Sequence, residues 1–186
     1  FPPLTDVKPP SSTVPYEPEP LTELFTVAEP TPTDALFVID NSCSMDLEQA
    51  FLAANFSVFM EHFTGSNASD LGDAWHVGVV STDMEKPDQM GMLQAAGGNR
   101  FIDAAVAQPV AVFSEMANLG THGSADEKGR AAAYTAIEVF GDTHNAGFYR
   151  EEANLALIFI SDEEDQSGDS PIALVEFISW LENLKS

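Results

Sequence analysis

Asp40-Asn41-Ser42-Cys43-Ser44 places a carboxylate and two hydroxyls at alternate positions directly after the apolar run Ala35-Leu36-Phe37-Val38-Ile39. These are hard oxygen donors, and one carboxylate with two hydroxyls suits a small divalent cation such as Mg2+. Two further polar loops carry related chemistry: Gly120-Thr121-His122-Gly123-Ser124, and Ser161-Asp162-Glu163-Glu164-Asp165 after a second apolar run, Leu155-Ala156-Leu157-Ile158-Phe159-Ile160. A plainer reading exists for each. Aspartate and serine after a strand also cap helices, and an acidic run also forms a solvated turn, which is the reading favoured for Glu163, Glu164 and Asp165. Asp165 with Asp169 is an alternative as an additional calcium site. His62, His76, His122 and His144 show no zinc-like spacing. Of these only His122 falls near the candidate loops, where it shapes the loop rather than binding metal.

These loops need elements to hold them. Short apolar runs rich in branched and aromatic residues, halted by polar residues, read as buried strands at Ala35–Ile39, Trp75–Thr82 and Leu155–Ile160. Leu47 to Phe63 reads as a helix, because Leu52, Phe56, Phe59, Met60 and Phe63 recur at three- and four-residue spacing. Thr64-Gly65-Ser66-Asn67 stops it. Strand, helix, strand in that order predicts a right-handed crossover and a parallel pair. Residues 83–119 are expected to hold a strand or hairpin and a short helix. A clearer helix runs from about Asp126 to Phe140. The continuous apolar run Leu155–Ile160 implies burial on both faces. A last helix from Pro171 to Leu184 is expected to turn Ile172, Val175, Ile178 and Leu181 toward the sheet. In an open α/β sheet the carboxyl ends of the strands bind ligands, so the three loops are expected to meet at one edge.

Composition narrows the partners. The 186 residues include 30 acidic and 7 basic side chains, a formal net charge of -23, which opposes binding to nucleic-acid phosphates or anionic membranes. Cations and basic surfaces suit such a field. With 44% apolar residues the chain can build a core. Nine of the 12 prolines fall within the first 32 residues, so residues 1–32 read as an extended arm and residues 33–186 as one domain. Leu21-Thr22-Glu23-Leu24-Phe25-Thr26-Val27 within the arm is apolar enough to dock rather than trail. Cys43 is the only cysteine, which excludes an internal disulfide; it is expected to face the core. The chain begins at Phe1, no apolar run has the length of a membrane span, and Asn55-Phe56-Ser57 and Asn67-Ala68-Ser69 match a glycosylation acceptor pattern. These features fit a secreted chain.

The Asp-x-Ser-x-Ser loop after an apolar strand, a threonine in a second loop and an aspartate in a third resemble the von Willebrand factor type A domain and its metal-ion-dependent adhesion site. The likeness covers about Asp34 to Ser186. Phe37-Val38-Ile39-Asp40-Asn41-Ser42-Cys43-Ser44-Met45 and Phe159-Ile160-Ser161-Asp162-Glu163-Glu164-Asp165-Gln166-Ser167 look like the form found in bacterial secreted or surface members. The resemblance implies a Rossmann-like α/β fold with a mostly parallel central sheet flanked by helices. It also implies a site for Mg2+, or for Ca2+ or Mn2+ in its place, held by Asp40, Ser42, Ser44, Thr121 and Asp162. Ser124 and Asp165 are further candidates in those loops. One coordination position would be left for a carboxylate of a protein partner.

The chain departs from the family at its end, where the last two strands are lacking. The Leu155–Ile160 strand would then be an open edge. A longer protein, the arm, or another chain of an assembly is expected to complete the sheet. Two functions follow: a metal-dependent adhesion or protein-binding module at the cell surface, or a structural subunit of an extracellular assembly whose metal only stiffens the loops. An enzyme is not expected, since no histidine is placed as a base for Ser42 or Ser44 and no Gly-rich phosphate loop precedes a helix.

Overall fold

A computed structural model of the protein describes residues 31–64 and 74–184. The arm up to residue 30, including the apolar segment 21–27, lies outside the described residues, as do the helix stop after Thr64 and the Asn67 acceptor pattern. The described chain is an α/β fold. Its three strands, β1 (Thr33–Ile39), β2 (Trp75–Ser81) and β3 (Asn154–Ile160), form an all-parallel open sheet in the order β2-β1-β3. Four α-helices flank it: α1 (Asp46–Thr64), α2 (Pro109–Ala117), α3 (Gly129–Tyr134) and α4 (Leu174–Asn183).

The alternation of side chains along β1 builds both faces of the core. Ala35, Phe37 and Ile39 face one way and pack with Val77, Val79, Phe56, Met60, Phe113 and Met116 from β2, α1 and α2. Phe37 meets Phe113 edge-on at a ring separation of 5.0 Å. Leu36 and Val38 face the other way, against Val80, Ala132, Ala133, Phe148 and Phe177. Each buried Val, Leu, Ile, Met or Phe side chain among these contributes about 1.5–3 kcal/mol. The register is continuous, with Phe37 opposite both Val79 and Ile158, so all three strands end level at Ile39, Ser81 and Ile160. The loops that follow therefore emerge at one crest.

At the opposite end of the sheet Asp34 is fully buried and held by Arg150. The guanidinium reaches Asp34 Oδ1 from Nη2 at 2.6 Å and from Nε at 2.9 Å, and the Arg150 backbone N–H reaches Oδ2 at 2.7 Å. His76 Nδ1 lies 3.5 Å from the same carboxylate.

Several expectations need correction. β3 is half-buried rather than sheathed on both faces, because among the described residues it pairs with β1 on one side only and Phe159 is 48% exposed. Residues 83–119 hold the expected short helix, α2, which includes Val110 to Phe113, but in place of a strand or hairpin they hold isolated antiparallel bridges, Val77 with Ile102 and Ala96 with Asn99. The helix expected from Asp126 starts at Gly129, since residues 120–128 are drawn across the crest, and it passes into a π-helical turn at Thr135–Val139. In α4 the inward residue is Phe177, whereas Val175 is 78% exposed and Ile178 also faces out. Trp180 sets this rotation: its ring packs on Tyr134 at 5.2 Å and its Nε1 donates to Glu138 at 2.6 Å. Cys43 is exposed rather than turned to the core.

Candidate cation site at the sheet crest

Asp40 lies one residue past β1 and is fully buried. Its Oδ1 accepts the Ser42 N–H at 2.7 Å, an Asx turn that swings the chain back over the strand end. That turn brings the two hydroxyls together: Ser42 Oγ and Ser44 Oγ are 3.0 Å apart. Ser44 Oγ donates to Asp162 Oδ1 at 3.2 Å, across from the end of β3. Since the single Ser44 proton is spent on Asp162, Ser42 is the donor between the serines. The row runs from the core to the surface, with Asp40 and Ser42 buried and Ser44 and Asp162 exposed.

The polar frame around this row is dense. Ser161 donates to Asp40 Oδ2 at 2.7 Å. Asn41 accepts Ser81 Oγ at 2.9 Å and donates to Gln89 at 3.0 Å, and its carbonyl takes the Gly123 N–H at 2.8 Å. A Cβ at Gly123 would overlap the Asn41 side chain, so only glycine lets the second loop approach this closely. Gln49 donates to both Asp40 O at 2.8 Å and Gly120 O at 3.0 Å, latching that loop to the end of β1.

Of the residues expected at the site, Asp40, Ser42, Ser44 and Asp162 thus form one connected group. Thr121 adjoins it, lining a polar depression of about 280 Å3 with Asp46, Gln49 and Gly120. Ser124 is turned to its own loop, where its Oγ accepts the Asp126 N–H and its N–H is held by Asp83 Oδ2. Asp165 is occupied by the Arg130 N–H at 2.8 Å and by Ser167, at the start of α3. His122 is exposed, and its carbonyl accepts Lys86 Nζ.

Two acids near the crest behave oppositely. Burial alone would raise the pKa of Asp83, but backbone N–H groups of Glu85, Lys86 and Ser124, with the Lys86 charge, bring it below the usual carboxylate value. Glu127, which motif reading missed, is only 2% exposed. Burial first, then the neighbouring Asp40 and Glu163, push its pKa up to about 7, against the pull of the Thr82 hydroxyl that donates to it at 2.6 Å.

The oxygens present suit a hard cation. Metal–oxygen distances of about 2.0–2.1 Å set adjacent ligands of an octahedron about 2.8–3.0 Å apart, and the Ser42–Ser44 and Ser44–Asp162 separations come close to that edge. Among the described residues no three His, Cys, Asp or Glu side chains close on one point, so a cation held here would need hydroxyl ligands. Asp40 also has no ion-pair partner among the described residues, so its charge is left to one N–H and one hydroxyl beside a second carboxyl group.

The fold and the crest together define an α/β chain with a hydroxyl-and-carboxylate site at the carboxyl ends of parallel strands. No protein-family model matches the chain, and no curated protein matches it.

Proposed function

We propose that this chain is a divalent-cation-dependent protein-binding module of the von Willebrand factor type A kind, working in an extracellular or cell-surface assembly. The observation that carries the reading is the oxygen row Ser42, Ser44, Asp162, with separations of 3.0 and 3.2 Å that come close to an octahedral edge, beside a buried Asp40 that has no cationic partner among the described residues. Ser42 and Ser44 would coordinate through their hydroxyls, Asp40 and Asp162 directly or through water, and Thr121 from the adjoining loop. A bound Mg2+, Ca2+ or Mn2+ supplies a position for a partner's carboxylate. Asn41, Gln49 and Gly123 tie the first two loops together, Ser161 ties the third to Asp40, and the exposure of Ser44 and Asp162 leaves the outer side open to a partner. The acidic surface favours cations over nucleic acid. Among the described residues no helix is long and apolar enough to cross a membrane.

Acetate serves as the simplest carboxylate probe. With bound Mn2+, the proton relaxation of acetate is expected to accelerate in the native protein and to fall to the free-ion level in Asp40→Ala. Saturable Mn2+ binding without acetate relaxation favours instead the structural reading, in which the metal only stiffens the loops. That second reading has its own support. Among the described residues β3 is paired on one side, and Leu155, Leu157 and Phe159 form an apolar groove with Leu181 and Leu184. Unpaired backbone and apolar surface of this kind suit an assembly in which a further strand completes the sheet.

A further inference from the structure

The polar depression beside Thr121 is lined by hydrogen-bond acceptors, and among the described residues that line it none is cationic. Its most buried member is Gln49, only 7% exposed. The Gln49 amide nitrogen donates both of its hydrogens, to Asp40 O at 2.8 Å and to Gly120 O at 3.0 Å. Both partners are carbonyl oxygens, which only accept, so the nitrogen must face them and the amide oxygen is turned from them. That oxygen, Oε1, accepts no hydrogen bond from the described residues, yet it is not sealed from solvent. The space beside it is this depression.

Two helices supply the walls. Asp46 is the first residue of α1, and Asn118 follows the last residue of α2, with Ser114 one turn earlier. A helix carries about half a positive charge at its N-terminus and about half a negative charge at its C-terminus, so these two ends offset one another. What remains is the full negative charge of Asp46, which has no ion-pair partner among the described residues. Ser114 gives its proton to Val110 O at 2.9 Å and has only lone pairs left to offer. A group that enters must therefore bring several donors and a positive charge. Guanidinium does so, with five N–H donors in one plane and a charge that is not lost, whereas an ammonium offers three donors at a single point. A volume of about 280 Å3 lies near the lower end of ligand pockets, about 300 Å3, and suits one side-chain head group.

We propose that this depression is a guanidinium subsite of the crest, so that a partner presents an arginine beside the carboxylate that reaches the cation. The inference rests on the cation reading above. Thr121 lines the depression and belongs to the proposed cation ligands, and Gln49 ties the two places together through Asp40 O and Gly120 O. The net charge of -23 draws the same kind of partner.

The test uses glycine-based peptides that carry one Asp and one Arg, in either order and separated by up to about three glycines, with citrulline in place of Arg as the neutral counterpart. Each competes with acetate on the Mn2+-loaded full chain, and the proton relaxation of acetate is read. At one or more spacings the Arg peptide is expected to displace acetate at a concentration at least about tenfold lower than its citrulline counterpart. Asp46→Asn, which removes the charge, and Ser114→Leu, which fills the depression, are expected to abolish that advantage while acetate relaxes as in the native protein. Asp46→Asn decides the matter if the leucine variant does not fold. Equal displacement by Arg and citrulline peptides at every spacing overturns the inference alone. So does an advantage that persists in Asp46→Asn, because the general acidic field would then account for it. A native Mn2+-loaded protein that does not relax acetate overturns the carboxylate-binding reading and this inference together.

Discussion

Asp34 and Asp40 sit six residues apart along one stretch of chain, both fully buried, at opposite ends of the central strand. Their surroundings differ in one respect that matters. Asp34 meets the Arg150 guanidinium at 2.6 Å and 2.9 Å, so its charge is cancelled by the protein. Asp40 is met by one N–H and one hydroxyl. One end of the strand is electrostatically closed, and the other holds negative charge for which the described residues supply no cation. Asp83 is satisfied in a third way, by three backbone N–H groups together with the Lys86 ammonium at 3.7 Å. On the proposed reading, the difference separates a carboxylate used to build the fold from one used to receive a cation.

Breaking the closed end has the largest expected effect. Arg150→Leu strips the guanidinium from buried Asp34, leaving it the residue 150 backbone N–H and His76, and should cost about 3–5 kcal/mol in urea denaturation whether or not a divalent cation is present. The open end should respond to a cation instead. At a free Mn2+ concentration 100 times its Kd, native protein should gain about 2.7 kcal/mol, and Asp40→Ala should gain nothing. The third effect is that of pH on the cation-free protein. Glu127 binds its proton more tightly folded, at about 7, than at its ordinary value of 4.5. Its contribution to stability is therefore complete below pH 4.5 and is lost as pH rises through 7, so stability should fall across that window. Glu127→Gln should flatten this slope in denaturation curves measured from pH 4.5 to 8. The smallest change marks the boundary of the site. Ser124→Ala removes a hydroxyl that serves only its own loop, and should shift stability by less than about 0.5 kcal/mol and leave Mn2+ affinity as it was.

What could be read from the residues in order was what local spacing decides. The three strands follow from continuous apolar runs, the helix α1 from its apolar stripe, and the Asp40 turn from a contiguous motif. Residues whose burial is set by distant parts of the chain were not legible. Glu127 is surrounded by polar neighbours and reads as exposed; only the approach of the β2 and β3 ends buries it. Ser161 was absorbed into an acidic run, although it is the residue that reaches Asp40. Gln49 did leave a signal, since it falls four residues after Met45 and three before Leu52, on the apolar stripe of α1. A polar side chain there implies a buried partner, and the partners are Asp40 O and Gly120 O. The rotation of α4 was misread for the opposite reason. Its apolar residues permit more than one inward face, and the Trp180 contact with Tyr134 and Glu138 selects the one that leaves Val175 and Ile178 outside.

The central claim is that the Asp40 end of β1 takes a divalent cation while the Asp34 end does not. Isothermal titration of Mn2+ into native protein and into Asp40→Ala, at neutral pH and moderate salt, tests it directly. The account predicts one saturable site in the native protein that disappears in Asp40→Ala. A native protein with no saturable uptake, or an Asp40→Ala variant that binds as the native one does, would contradict it.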